Sequence, residues 1–235
     1  LRKSKLNKYI YLSKYSGWNL SNSFANYQEE LAIFKNKINF FSYKGKWVGS
    51  FSYSINNKLN FYSNDDKNTF IEAVNSFYSS LISSYLKKHN KNYFIEDSTW
   101  NILNIDSLNK VFPNSKFIHV YRDPRDVIAS FLKQSWMPSD IEKATLIYKN
   151  LMKEILRQSS KNDNCYQLCF EDLLQDKNRE LVKLCNFLDL DLSDEMRNFD
   201  LKKSNSGRYL VDFNEKEIEY LNNSLSSELE FLRYV

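Results

Sequence analysis

With 235 residues, 42% of them hydrophobic and 26% charged, the chain has the makings of a folded domain with a real core and not of a disordered segment. Glycine is the outlier: a usage of about 7% would give roughly sixteen, yet the sequence holds four, Gly17, Gly45, Gly49 and Gly207, which excludes a glycine-rich phosphate cradle of the ordinary kind. The net charge of +4 is uneven, with ten Lys/Arg against two Glu over residues 1–60 and 23 against 27 over the rest, so the basic first quarter suits an anionic ligand or a solvated face.

No apolar run reaches the roughly eighteen residues of a transmembrane helix, and the opening residues lack the apolar stretch of a signal peptide. The sequence also lacks an initiator methionine, which leaves room for missing N-terminal residues. Three cysteines, Cys165, Cys169 and Cys185, and two histidines, His89 and His119, are too few and wrongly spaced for a structural metal site. They read as reduced thiols in a cytoplasmic protein.

In chain order, residues 8–13 (KYIYLS) read as a short strand, followed by a turn and a helix over about 20–35. Residues 38–62 alternate in the manner of strands, with turns at Lys44-Gly45-Lys46 and Asn56-Asn57. They predict a small antiparallel insertion over 36–62 of a single domain spanning 1–235. Phe70, Val74, Phe77, Leu81 and Tyr85 recur at helical spacing behind the capping candidates Asp66 and Asn68. Residues 93–95 read as a strand, 102–112 as a helix and 116–121 (KFIHVY) as a buried strand. Asp123 then caps a helix that Pro124 begins. A long helix over 139–159, a strand over 165–170, a helix over 178–188 and a terminal helix over 215–232 complete the chain. This alternation predicts an α/β fold with a mostly parallel central sheet covered on both faces.

The chemistry gathers around FIHVYRDPRDVIAS, residues 117–130. Arg122 stands at the C-terminal end of a strand, where ligands bind in open α/β sheets, and its planar fork suits two phosphate oxygens. Ser130 lies eight residues on, along the helix opened by Pro124. Pairing of Arg122 with Asp123 or Asp126, with Ser130 merely packed, is the competing reading.

This segment resembles the 3′-phosphate-binding segment of the sulfotransferases that use 3′-phosphoadenosine 5′-phosphosulfate (PAPS), in which an Arg after a strand and a Ser eight residues later hold the nucleotide. Two later segments resemble the family in the expected order. CYQLCFEDLLQD has Phe170 where the family has Tyr, followed by matching Glu171, Asp172 and Leu173. Ser206-Gly207-Arg208-Tyr209 resembles the Gly-Arg-Trp element, whose Arg and backbone also meet the 3′-phosphate. Gly207 is taken to serve backbone freedom or close approach.

The resemblance is weaker at the N terminus. There the family grips the 5′-phosphosulfate with a Lys/Arg-Ser-Gly-Thr-Thr/Asn loop at a helix N-terminus. Here Lys14, Tyr15, Ser16, Gly17, Trp18 and Asn19 occupy that place. Ser16, Gly17 and Asn19 fit, but Tyr15 stands where the cation belongs, Trp18 where a Thr belongs, and Lys14 is one residue early. The segment FIEDSTWN resembles the element beside the acceptor, with Asp97, or Glu96 one residue earlier, in the place of the family's Lys. A carboxylate there is a candidate general base, or else a helix cap. Trp136 and the aromatics of residues 40–53 fall where the family varies its acceptor-binding elements.

The resemblance implies a P-loop-NTPase-like three-layer fold. It also implies transfer of a sulfuryl group from PAPS to a hydroxyl or amine of a small-molecule or glycan acceptor, leaving 3′,5′-adenosine bisphosphate (PAP). The altered 5′ loop motivates an alternative, a non-catalytic PAP/PAPS-binding relative. A nucleic-acid module is the weakest reading, because a pI of about 8.7 is modest and no recognised motif is present.

Overall fold

Apolar side chains at helical and strand spacing, punctuated by short polar caps, lay out the elements of this chain. Its computed structural model describes residues 23–37, 41–43, 59–61, 67–201 and 206–234. The elements are α1 (Tyr27–Lys37), β1 (Phe41–Tyr43), β2 (Leu59–Phe61), α2 (Lys67–His89), a 3-10 helix (Thr99–Asn104), α3 (Ile105–Val111), β3 (Phe117–Tyr121), α4 (Pro124–Phe131), α5 (Ile141–Ser159), β4 (Cys165–Cys169), α6 (Phe170–Gln175), α7 (Lys177–Leu188), α8 (Asp194–Asn198), α9 (Tyr209–Asp212), α10 (Glu215–Ser224) and α11 (Ser226–Phe231). Two units form, Leu1–Asp97 with Lys110–Phe112, and Ser98–Asn109 with Pro113–Val235.

In the first unit α1 packs along α2. Phe24, Phe77 and Leu81 are buried, and Tyr27, Leu31, Phe34 and Tyr85 close around them. Ser80 Oγ donates to Glu30 Oε1 at 2.5 Å and ties the two helices on their polar side. Within the residues expected as an antiparallel insertion, β1 and β2 pair antiparallel with Phe41 in register with Phe61 and Tyr43 with Leu59. Helix α2 ends where Asn90 takes the left-handed conformation (φ 51°) and Lys91 N–H returns to Leu86 C=O at 2.9 Å, a closure that satisfies an orphan carbonyl. The expected strand at 93–95 is absent: Tyr93, Phe94 and Ile95 are exposed, and no described strand pairs with them.

The second unit holds the parallel pair. β3 lies beside β4 with Phe117 opposite Cys165 and Tyr121 opposite Cys169. Among the described residues this is the only parallel pairing, so the structure has a mixed helix and strand fold with a parallel sheet of two strands. The expected strand at 8–13 lies outside the described residues. β3 is also less buried than expected, since Ile118 and Val120 are exposed and only His119 is enclosed.

The helical starts follow the caps that the sequence offers. Asp123 accepts from Arg125 N–H, with Pro124 at the first helical position of α4, and Asp140 accepts from Lys143 N–H at the head of α5. Asn214 and Glu217 form a reciprocal capping box on α10. The core joins Ile128 of α4 and Ala144, Tyr148 and Met152 of α5 to Leu221, Leu225, Leu229 and Leu232. Each fully buried Leu contributes about 1.5–3 kcal/mol.

Some expected elements are divided. The helix expected over 102–112 begins as the 3-10 turn, and the terminal helix breaks at Leu225 (φ −105°, ψ 11°) after the polar run Asn222-Asn223-Ser224. An asparagine network pins α3: Asn164 Nδ2 donates to Asn109 Oδ1 at 2.7 Å and to Ser115 C=O at 2.8 Å, and Asn109 Nδ2 donates to Asn162 Oδ1 at 2.7 Å.

His119 carries a testable consequence. Its Nδ1 is buried with no hydrogen-bond partner among the described residues, and burial pushes the imidazole down from 6.5 to about 4. Between these values the unfolded chain binds a proton that the folded chain refuses. Stability is therefore retained above the upper value and lost as pH falls through the window, by up to about 3 kcal/mol at 1.36 kcal/mol per unit. His119→Phe is expected to flatten the acid arm of melting temperature against pH between 6.5 and 4; an unchanged arm would place the dependence in other groups.

Candidate functional site

Helix α4 opens with two acids whose side chains do different work. Asp123 is the cap, held by Arg125 through Nε (3.0 Å) and Nη2 (2.6 Å). Asp126, one turn in, has no exposed surface. Its Oδ2 accepts from Gly207 N–H at 2.7 Å and its Oδ1 from Tyr209 N–H at 2.9 Å. A buried carboxylate is costly unless its lone pairs are filled, and here two backbone N–H groups from 81 and 83 residues away fill them. Arg125 reinforces the junction, lying 4.3 Å from the centre of the Tyr209 ring and donating to Asn222 Oδ1 at 2.9 Å.

Arg122 occupies the turn between β3 and α4. Among the described residues it makes one hydrogen bond, from Nη2 to the backbone carbonyl of Asp126 at 3.1 Å. The competing pairing of Arg122 with the Asp123 or Asp126 carboxylate is not formed among the described residues: Arg122 bonds to backbone, and Asp123 takes Arg125. Ser130 lies half-buried on α4. Gly207 has φ +76°, and a Cβ there would meet none of the described residues within 4 Å. The backbone conformation, and not close approach, is what calls for glycine. Arg208 precedes α9 and donates from Nε to Asp212 Oδ2 at 2.8 Å; Lys133 Nζ reaches the same oxygen at 2.5 Å. Desolvation opposes it, but the hydrogen bond from Lys133 and the charges of Lys133 and Arg208 hold the Asp212 carboxyl below the usual range.

The segment after β4 joins the same junction. Glu171 Oε1 accepts from Asp123 N–H at 3.2 Å, and Glu171 Oε2 accepts from the Tyr234 hydroxyl at 2.6 Å. Cys169 Sγ lies 3.3 Å from that hydroxyl. Burial raises the Tyr234 phenol, with the Cys169 and Glu171 hydrogen bonds adding to it. Burial likewise pushes Tyr121 up to about 12, aided by the charge of Cys169. Phe170 begins α6 and lines an open, mostly apolar cleft of about 570 Å³ with Leu174, Phe199, Asp200 and Leu201.

Arg122, Ser130, Gly207 and Arg208 thus lie on elements linked through Asp126, with the Phe170 segment linked through Glu171. Ser206 is exposed in the turn before Gly207. Lys14, Tyr15, Ser16, Gly17, Trp18 and Asn19 lie outside the described residues. Glu96 and Asp97 are exposed in the segment before the 3-10 helix, and the cap position of that helix is Ser98, not Asp97. Sequence reasoning missed the roles of Asp126, Arg125, Glu171, Tyr234, Lys133 and Asp212. The acids at 123 and 126 at a helix start were the available signal for the first of these; nothing local pointed to Tyr234.

Removing the Asp126 carboxylate should loosen the C-terminal turn. Asp126→Ala leaves two backbone N–H groups without their charged acceptor, a loss of about 1.5–3 kcal/mol for each such bond. The expected result is a lowered melting temperature together with faster hydrogen exchange at the Gly207 and Tyr209 amides; unchanged exchange there would show that the turn is held by other contacts.

No group of His, Cys, Asp and Glu able to hold a metal ion occurs among the described residues. Residues 33–194 match the model of the Sulfotransferase family. Two nematode proteins named "Putative protein-tyrosine sulfotransferase" are similar over 133 residues. The one from Caenorhabditis briggsae is 26% identical, with 54% of this chain and 47% of that protein covered. The one from Caenorhabditis elegans is 24% identical, with 54% and 51% covered. An amine sulfotransferase of Oryctolagus cuniculus is 31% identical over 97 residues, 34% of this chain and 32% of that protein. The chain spans about half the length of the nematode relatives it matches and a third of the rabbit one. The solved sulfotransferase domain from the curacin biosynthetic pathway covers 60% of this chain and 53% of its own at 19% identity and a TM-score of 0.43. The family match runs through α1, the β3–α4 turn with Arg122, and the Glu171 segment, and it takes in well over half of the sequence: the chain belongs to the sulfotransferase family.

Proposed function

We propose that this chain transfers a sulfuryl group from PAPS to a hydroxyl or amine, on a P-loop-NTPase-like three-layer fold formed as a single domain. The observation that carries the reading is the junction at Asp126, which ties the turn bearing Gly207 and Arg208 to the helix that follows Arg122. Arg122 spends one hydrogen bond on a backbone carbonyl, so its remaining N–H groups suit phosphate oxygens. Among the described residues the Arg208 side chain is paired with a partly exposed carboxylate, Asp212. In this reading Arg122, Ser130, Gly207 and Arg208 bind the 3′-phosphate, Ser206 borders it, and Phe170 lies against the nucleoside from its apolar cleft.

The N-terminal loop, with Lys14, Ser16, Gly17 and Asn19, takes the 5′-phosphosulfate, and Tyr15 and Trp18 flank it. The reaction is an in-line displacement. The acceptor oxygen or nitrogen bonds to sulfur as the bond from sulfur to the bridging phosphate oxygen breaks, and PAP leaves. Asp97, or Glu96 in its place, takes the acceptor proton, while the 5′ loop and Lys14 stabilise charge on the leaving oxygen. A hydroxyl or amine acceptor agrees with relatives named for protein tyrosine and for amines. A small-molecule or glycan acceptor and a cytoplasmic location complete the proposal. Tyr15 and Trp18, in place of the family's cation and Thr, favour the second reading, a relative that binds PAP or PAPS without turnover.

Isothermal titration with PAP tests the site. Arg122→Ala is expected to weaken PAP binding by about 1.5–3 kcal/mol and to leave adenosine 5′-phosphosulfate, which lacks the 3′-phosphate, unaffected. Equal losses for both ligands would overturn the assignment of Arg122. Turnover of PAPS separates the two readings. Asp97→Asn is expected to cut turnover by about two orders of magnitude with PAP affinity unchanged; survival of activity would move the base to Glu96.

A further inference from the structure

Two cations from distant parts of the chain meet on one oxygen. Lys133, just past the end of α4, and Arg208, just before α9, both reach Asp212 Oδ2, at 2.5 and 2.8 Å. Asp212 lies one helical turn after Arg208, and its side chain keeps 21% of its exposure, against 44% for Lys133 and 36% for Arg208. Lys133 also lies three residues after Ser130, and its backbone N–H bonds to Ser130 C=O at 3.2 Å. Its ammonium is thus tied to the same C-terminal turn that Asp126 fastens to α4.

The single shared oxygen marks a point where the fold concentrates positive charge and fills it with its own carboxylate. Exposed ion pairs of this kind are weak. A phosphate monoester brings more charge and three acceptor oxygens, and it takes charge-assisted bonds from several cations at once. We propose that Lys133 is a third cation of the nucleotide site, and that Asp212 is a displaceable counter-charge holding Lys133 and Arg208 together until a 3′-phosphate takes over their donors. The proposal rests on the assignment of the 3′-phosphate to Arg122, Ser130, Gly207 and Arg208 and adds a residue that sets preference for 3′-phosphorylated nucleotides.

The test uses PAP and adenosine 5′-phosphosulfate as probes in titrations at low and high salt. Removing a competing unit charge a few ångströms away corresponds to about a fivefold change in affinity. Asp212→Asn is therefore expected to tighten PAP binding by about fivefold at low salt, with the gain shrinking as salt screens it, and to leave the 5′-phosphosulfate probe unaffected. Lys133→Met is expected to weaken PAP by a similar factor, again without effect on the other probe. If Asp212→Asn weakens PAP binding or leaves it unchanged, or if Lys133→Met leaves it unchanged, the contact is an ordinary surface brace and the proposal falls. Asp212→Ser and Lys133→Gln replace any variant that melts early. Arg122→Ala run alongside separates the two levels. Loss of PAP binding there with no gain from Asp212→Asn sinks only this inference, whereas indifference to Arg122→Ala sinks the site assignment and this inference with it.

Discussion

The second unit is organised around the buried carboxylate of Asp126. A charge with no exposed surface has to be compensated where it lies, and among the described residues the backbone N–H groups of Gly207 and Tyr209 fill its two oxygens, one each. That demand helps fix a turn whose helix, α9, is four residues long and buries none of them, with Lys133 and Arg125 adding more exposed contacts. The same residue offers its backbone carbonyl to Arg122. One aspartate thereby sets both the cation after β3 and the segment that carries Arg208.

A second carboxylate acts in the same way from the helix that follows β4. Glu171 meets Asp123 N–H with one oxygen and the Tyr234 hydroxyl with the other. The cap of α4, the end of β4 and the last described residue are therefore joined through one side chain. Ranking the contacts by magnitude separates scaffold from periphery. The buried charge-assisted bonds at Asp126 carry about 1.5–3 kcal/mol each, while exposed pairs such as Lys116 with Asp189 contribute about 0–1 kcal/mol.

What was legible in the sequence followed from local physics. Asp123 and Pro124 announced the start of α4, the spacing of Phe77 and Leu81 announced α2, and the apolar run before Arg122 announced β3. Arg122, Ser130 and Arg208 belong to one reading only through the resemblance to the sulfotransferases, which local physics does not supply. What was not legible depended on partners far along the chain. Nothing near Asp126 says that it will be buried against Gly207, and nothing near Tyr234 says that it will hold Glu171. Residues 93–95 show the opposite failure: three apolar residues in a row look like a strand, but a strand requires a neighbour, and none pairs with them. Leu225 stands between; the leucine pattern of the last helix is real, yet the polar run before it let the helix break there without losing the buried face.

The positive φ of Gly207 has a consequence for how this position tolerates change. Among the described residues space is not the constraint, because a methyl group there would touch none of them within 4 Å. The constraint is handedness: the dihedral lies on the side of the map that L side chains avoid, and β-branched ones avoid most. Asparagine and aspartate, which enter that region at the least cost, are the replacements the turn can absorb, whereas valine or isoleucine would be refused however empty the surroundings. A small residue such as alanine would be penalised more than the larger asparagine, so the usual ordering of substitutions by volume is inverted at this one position.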